Sequence, residues 1–145
     1  MNNSLKEKKI KNLISDYSIE ITPNVYEKYG KLSNFLPLKK NVYITYLPEE
    51  DPKRVISTSK KINEEGYYAI PHLPARTIKD YNMLENFIGN ISEQAGCIKI
   101  LVIGGGGKQV GTIESSLQVL ESDLLSKYNF QEVGVAGHPE GNPDI

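Results

Sequence analysis

The stretch VYITYLPEEDPKRVISTSKKINEEGYYAIPHL, residues 42–73, decides the fold. It opens on a β-prone apolar run, "VYITYL", and closes on another, "YYAIPHL". Between them "DPKRVISTSKKINEEG" carries the marks of a helix. Asp51 can cap it, Pro52 sits at the first helical position, where its missing N–H costs nothing, and Gly66 can stop it. Strand, helix and strand in that order make a crossover unit, and a crossover this long joins parallel strands.

The same rhythm extends in both directions. Further strands are expected in "YSIEIT" from Tyr17, "IKILVIG" from Ile98 and "EVGVAGH" from Glu132. "TIKDYNMLENFIGNISEQAG" spaces Ile78, Tyr81, Leu84, Phe87, Ile88 and Ile91 as a helix does and ends at Gly96. "TIESSLQVLESDLLSKYN" repeats the pattern with Ile113, Leu117, Leu120, Leu124 and Leu125, the helix expected from Thr112 with Ser115 in its first turn. Five strands alternating with helices predict an α/β fold with a parallel sheet. Two architectures compete: an open doubly wound sheet, and a TIM-type (β/α)8 barrel, which takes about 250 residues. With five strands in 145 residues, the chain read as a barrel is a partial one, little more than half.

Composition narrows the function. Charge is balanced, with 17 basic and 18 acidic residues, which argues against a nucleic-acid or membrane-surface partner recruited by bulk electrostatics. No apolar run approaches the roughly 18 residues of a membrane span, and no signal peptide is visible. Cys97 is the only cysteine, which leaves no disulfide framework and no thiolate metal site, and it reads as a small buried hydrophobe. A reduced, cytoplasmic protein is expected. The basic start "LKEKKIKNLI", with Leu5, Ile10, Leu13 and Ile14, reads as an amphipathic helix, so residues 1–16 form a helical extension to a domain spanning 17–145.

Ligands of parallel α/β folds gather at the carboxyl ends of the strands. Those ends carry Glu20, then Thr45 and Tyr46, then His72, then Gly104 to Gly107, and finally His138, Glu140 and Asn142. Taken singly, each histidine reads as a satisfied loop residue. Together, five strands deliver ligand-capable groups to one rim. "IGGGGKQVGT" fails the Walker pattern, because Gln109 follows Lys108 where Ser or Thr is required. It also fails the dinucleotide fingerprint, and remains a turn whose backbone can approach a ligand or simply move. Two histidines and scattered carboxylates make no metal site.

"SIEITP", "VYITY", "AIPHL" and the terminal "VAGHPEGNPD" together resemble the methylenetetrahydrofolate reductases, in order, spacing and strand ends. The resemblance runs from Tyr17 to Ile145 and covers the amino-terminal part of a barrel. It implies FAD as cofactor, NADH or NADPH as reductant, a folate substrate, a role in one-carbon and methionine metabolism, and a homo-oligomer at full length. The family reduces 5,10-methylenetetrahydrofolate to 5-methyltetrahydrofolate, and opening the folate ring needs a proton on the departing nitrogen. Glu20 matches the family's acid. Flanked by Ile19, Ile21 and Pro23 beside a flavin, its carboxyl would be desolvated and kept as an acid. Its alternative reading is an inward-facing barrel residue or an ion-pair partner. Thr45 and Tyr46 match a pair that contacts nicotinamide and flavin, and His72 matches a flavin-contacting histidine. Gly104 and Gly105 stand where an arginine and a glycine are known, His138 where a tyrosine is usual, and Asn142 where a histidine is common.

One departure stands out. An aspartate that helps to hold the pterin is replaced by Gly106, and only Glu114 or Glu140 could substitute. A divergent member is therefore expected. The alternative is a folate-binding or methyl-transfer barrel without reductase chemistry, or an inactive fragment. If a barrel is cut after its fifth strand, the strands around Glu20 and His138 lose pairing. Ile19, Ile21, Val133 and Val135, read as interior-facing, then lose the opposing wall. Such a chain is expected to bind flavin weakly or not at all by itself, to show no reductase turnover, and to associate through its edges or aggregate.

Overall fold

A computed structural model of the chain describes residues 3–137. Five strands form one sheet: β1 (Ile19–Ile21), β2 (Asn41–Ile44), β3 (Tyr68–Pro74), β4 (Lys99–Ile103) and β5 (Glu132–Val135). They lie side by side in chain order, and every neighbouring pair is parallel. The order never reverses, so the sheet lacks the switch point of a doubly wound fold. Crossovers between parallel strands are nearly always right-handed. Successive crossovers in one direction therefore send their helices to the same face.

Burial agrees with that reasoning. Val42 and Ile44 are buried while Asn41 and Tyr43 are half-exposed, and Ile100 and Val102 are buried while Lys99, Leu101 and Ile103 are half-exposed. Helices cover one face, and no element among the described residues covers the other. The register aligns Ile19 with Val42 and Ile21 with Ile44. These two isoleucines thus belong to the helix-covered face, which corrects the expectation that they point inward; Glu20 takes the open side. Val133 and Val135 align with Ile100 and Val102 but stay exposed, because the last helix packs on β4.

The helices form where local chemistry stops and starts them. The expected helix after β2 is α3 (Pro52–Glu64), capped by the Asp51 carboxylate, which accepts from Lys53 N at 2.9 Å. It buries Val55, Thr58, Ser59 and Ile62 beneath the sheet. A shorter helix, α2 (Pro23–Tyr29), fills the first crossover and is capped by Thr22. The third, α4 (Tyr81–Gly89), begins at an Asp80 cap, later than its periodicity suggests, because residues 75–77 form a 3-10 turn. It runs on as a π turn (Asn90–Gln94) and ends at Gly96, whose φ of 67° suits glycine.

The last helix departs most from expectation. Ser115 is its cap and not part of its first turn: the Ser115 side chain accepts from Gln118 N while the Gln118 side chain accepts from Ser115 N. That reciprocal pair sets the start of α5 (Ser116–Glu121), which buries Val119 and leaves Leu117 and Leu120 exposed. The amino-terminal helix α1 (Asn3–Ser15) forms as expected, but Leu5 and Ile10 remain exposed.

The glycine-rich loop after β4 is fastened to the segment after β3. Val110 N donates to Arg76 O at 2.9 Å and Thr112 N to Lys79 O at 3.2 Å. Gly111 lies between these bonds, and a Cβ there would overlap the Lys79 carbonyl oxygen. Gly106, by contrast, faces open space. Gly111→Ala should therefore lower the free energy of unfolding by ~2 kcal/mol or more, whereas Gly106→Ala should change it by less than about 0.5 kcal/mol. Urea unfolding of both variants checks the contrast.

Candidate functional site

Side chains from the sheet's open face meet in one cleft. Glu20 lies in the middle of β1, opposite Tyr43 in the register. Thr45 follows directly on β2, where its N–H continues the ladder to Ile21 O at 2.9 Å. Its hydroxyl donates to Glu20 Oε1 at 2.7 Å. His72 lies on β3, level with Leu101 of β4. A cleft of about 460 Å³ is bounded by Glu20, Tyr43, His72 and Leu101, with Ser18 at one end and Val135 and Ala136 at the other.

Within it His72 is the constrained member. The residue is only 7% exposed, and its Nε2 has no hydrogen-bond partner among the described residues. Tyr43 meets its ring edge-on, with centroids 6.1 Å apart. Burial pushes the imidazole below its ordinary titration range, and the nearby Glu20 charge pulls only partly the other way. His72 is thus held neutral. An unmet buried nitrogen costs free energy until something polar reaches it, so the cleft suits a ligand with a hydrogen-bonding edge.

Glu20 has the opposite environment. It is exposed on the open face, so the expected desolvation by its apolar neighbours is not found. Ile19 and Ile21 lie on the other side of the sheet, and Glu20 Oε1 accepts a hydrogen bond from the Thr45 hydroxyl.

The adjacent residues Thr45 and Tyr46 part company. Tyr46 is buried on the helix side, packed on Phe87 with ring centroids 5.4 Å apart. Its phenol is pushed up to about 12, first by burial and then by the charges of Asp51 and Glu50. It borders a separate cavity of about 370 Å³ together with Pro48, Pro52, Met83, Lys108 and Val110. The strand alternation that brings Thr45 to Glu20 carries Tyr46 to the helix side.

At the end of β4, Gly104 O accepts from Arg76 N at 3.0 Å. Gly105 adopts a φ of 89°, and a Cβ there would come within 3.0 Å of Pro74 Cβ. Gly105 thus allows close loop packing. Glu114 uses its carbonyl to accept from Arg76 Nε at 3.2 Å. His138, Glu140 and Asn142 lie outside the described residues. Tyr43 is the cleft residue that the strand-end reading passes over. The signal for it is parity, since it faces the same side as Thr45 two positions on.

No family model matches the chain. Among the described residues no cluster of three or more His, Cys, Asp or Glu side chains could hold a metal ion. No described helix is long and apolar enough to cross a membrane.

The buried neutral His72 makes stability depend on pH. Its native titration point is below the unfolded one, near 6.5, so on acidification the unfolded chain takes up this proton first. The contribution of His72 should be intact above about pH 7, fall as pH drops through the mid-6 range, and level off below the lowered native value. Urea midpoints between pH 8 and pH 5 should fall further for the wild type than for His72→Gln. Equal falls would show that His72 is not the group involved.

Proposed function

We propose that the five βα units belong to a (β/α)8 barrel of the methylenetetrahydrofolate reductase kind. The chemistry is then flavin-dependent reduction of 5,10-methylenetetrahydrofolate to 5-methyltetrahydrofolate, with NADH or NADPH as electron source. One observation carries the reading: Glu20 and His72, matched to that family from separate strands, line a single cleft, and Thr45, matched from a third, is hydrogen-bonded to Glu20. The sequential, non-reversing strand order supports the barrel side of the proposal.

The cleft residues suit FAD. The unpartnered His72 Nε2 can meet the polar edge of a flat ring system, and Tyr43 beside it offers an aromatic wall. When bound, FAD supplies the hydride chemistry. The rest belongs to the chain. His72, neutral, orients the ring without adding charge. Glu20, once protonated, gives its proton to the departing folate nitrogen; the carbon–nitrogen bond breaks and its electron pair stays on that nitrogen. Tyr46, on the far side of the sheet, has no part in this and supports β2 from the core.

A second reading is favoured by the loop after β4. Gly106 offers no carboxylate to a pterin and faces open space. A barrel that binds a folate or transfers its methyl group without reductase chemistry fits that loss.

The decisive measurement is flavin binding followed by separate half-reactions. FAD fluorescence should be quenched on titration with the protein, and His72→Ala should weaken this by roughly tenfold, the worth of a buried hydrogen bond of about 1.4 kcal/mol. Identical titrations of the two would exclude His72 from the flavin site. In a form that turns over, Glu20→Gln should leave reduction of the flavin by the nicotinamide nearly intact and slow the folate half-reaction by on the order of 10²-fold. Equal losses in both would make Glu20 structural. Gly106→Asp should tighten folate binding by ~1–3 kcal/mol if the loop keeps the family's place, and weaker binding by calorimetry would argue that it has moved.

A further inference from the structure

Thr45 is matched to a residue that touches the cofactor, but its hydrogen bonding directs it elsewhere. A threonine hydroxyl has one proton to donate, and Thr45 commits it to Glu20 Oε1 at 2.7 Å. The hydroxyl is also held in place. Thr45 N is bonded to Ile21 O on the strand that carries Glu20, and a β-branched side chain turns little about its first torsion. The other polar and titratable groups bounding the same cleft are His72, Tyr43 and Ser18, and none of them is bonded to Glu20.

We infer that Thr45 is a positioning residue for Glu20, selecting which carboxyl oxygen carries the transferable proton and stabilising the carboxylate left behind. The inference rests on the reductase reading above. With a donor already on Oε1, the protonated acid uses Oε1 as its carbonyl oxygen and bears its hydrogen on Oε2. When that proton passes from Oε2 to the departing folate nitrogen, the carbon–nitrogen bond breaks with its pair on nitrogen, and Glu20 acquires a full negative charge. The bond from Thr45 then ends on a charged acceptor and strengthens. An interaction that is stronger after proton transfer than before it lowers the barrier to transfer. Thr45 does this without touching the folate, and its only hydroxyl proton is not available to the flavin.

Thr45→Val removes the hydroxyl while keeping the shape, and Thr45→Ser keeps the donor. The first measurement needs no cofactor: isotope-edited infrared spectra of the glutamate carboxylates at neutral pH, with Glu20 assigned by its loss in Glu20→Gln. The Glu20 band should move in Thr45→Val and return in Thr45→Ser; an unmoved band overturns the inference. The second is single-turnover kinetics. Thr45→Val should slow the folate half-reaction about tenfold, as expected for a hydrogen bond to a charged group, with FAD affinity and the nicotinamide half-reaction unchanged and Thr45→Ser restoring the rate. A loss of FAD affinity instead would overturn the inference and return Thr45 to the cofactor. A Glu20 band that moves in Thr45→Val as expected, in a protein whose wild type runs no folate reaction, overturns the reductase reading alone and leaves Thr45 as the holder of the Glu20 carboxylate.

Discussion

Parallel pairing of the strands in unbroken chain order is the constraint on which the other features depend. Each crossover must leave the sheet on the same side as the last, so the helices accumulate on one face. The two-residue alternation of a strand then sorts every side chain into covered or open. Ile19, Ile21, Val42, Ile44 and Tyr46 go under the helices, and Glu20, Tyr43, Thr45 and Leu101 go to the open side. His72, on the central strand, is on the open side yet buried, because neighbouring strands flank it on both edges.

Two titratable groups of one cleft thereby meet opposite environments. His72 has lost its water and remains neutral; Glu20 keeps its solvent and accepts a hydrogen bond from Thr45. Environments that differ this much across a few side chains allow one group to orient a ligand while its neighbour exchanges protons. Neither residue type is unusual. What makes the pair chemically useful is the offset between a central strand and the edge strand two places away.

The strand ends are steadied by bonds outside the sheet. At the carboxyl ends, Arg76 donates to Gly104 and accepts from Val110, drawing the loops after β3 and β4 together. At the other end, Glu65 closes α3 by accepting from Tyr26 Oη at 2.5 Å and from Leu32 N at 2.9 Å, which fastens the first crossover to the second. That partnership and its burial raise the Tyr26 phenol beyond its ordinary range. The open face is thus framed by packed loops, although nothing among the described residues lies across it.

Local chemistry in the chain was sufficient for much of this. The five strands, the Asp51 cap with Pro52, and the stop at Gly96 all follow from short-range rules of φ, capping and periodicity, which need no distant partner. So does the placement of Glu20, Thr45 and His72 on or directly after β1, β2 and β3. Periodicity failed at the last helix: the Ser115–Gln118 capping pair starts it later than the apolar spacing implies, and Leu117 and Leu120 stay exposed. Only tertiary structure could decide the remainder. Which of Thr45 and Tyr46 reaches Glu20, whether Glu20 is dry or wet, and why Gly111 admits no side chain all depend on which face the helices cover and on Lys79 lying against the loop. Those are relations between segments far apart in sequence, and spacing along one segment carries no information about what another segment packs against.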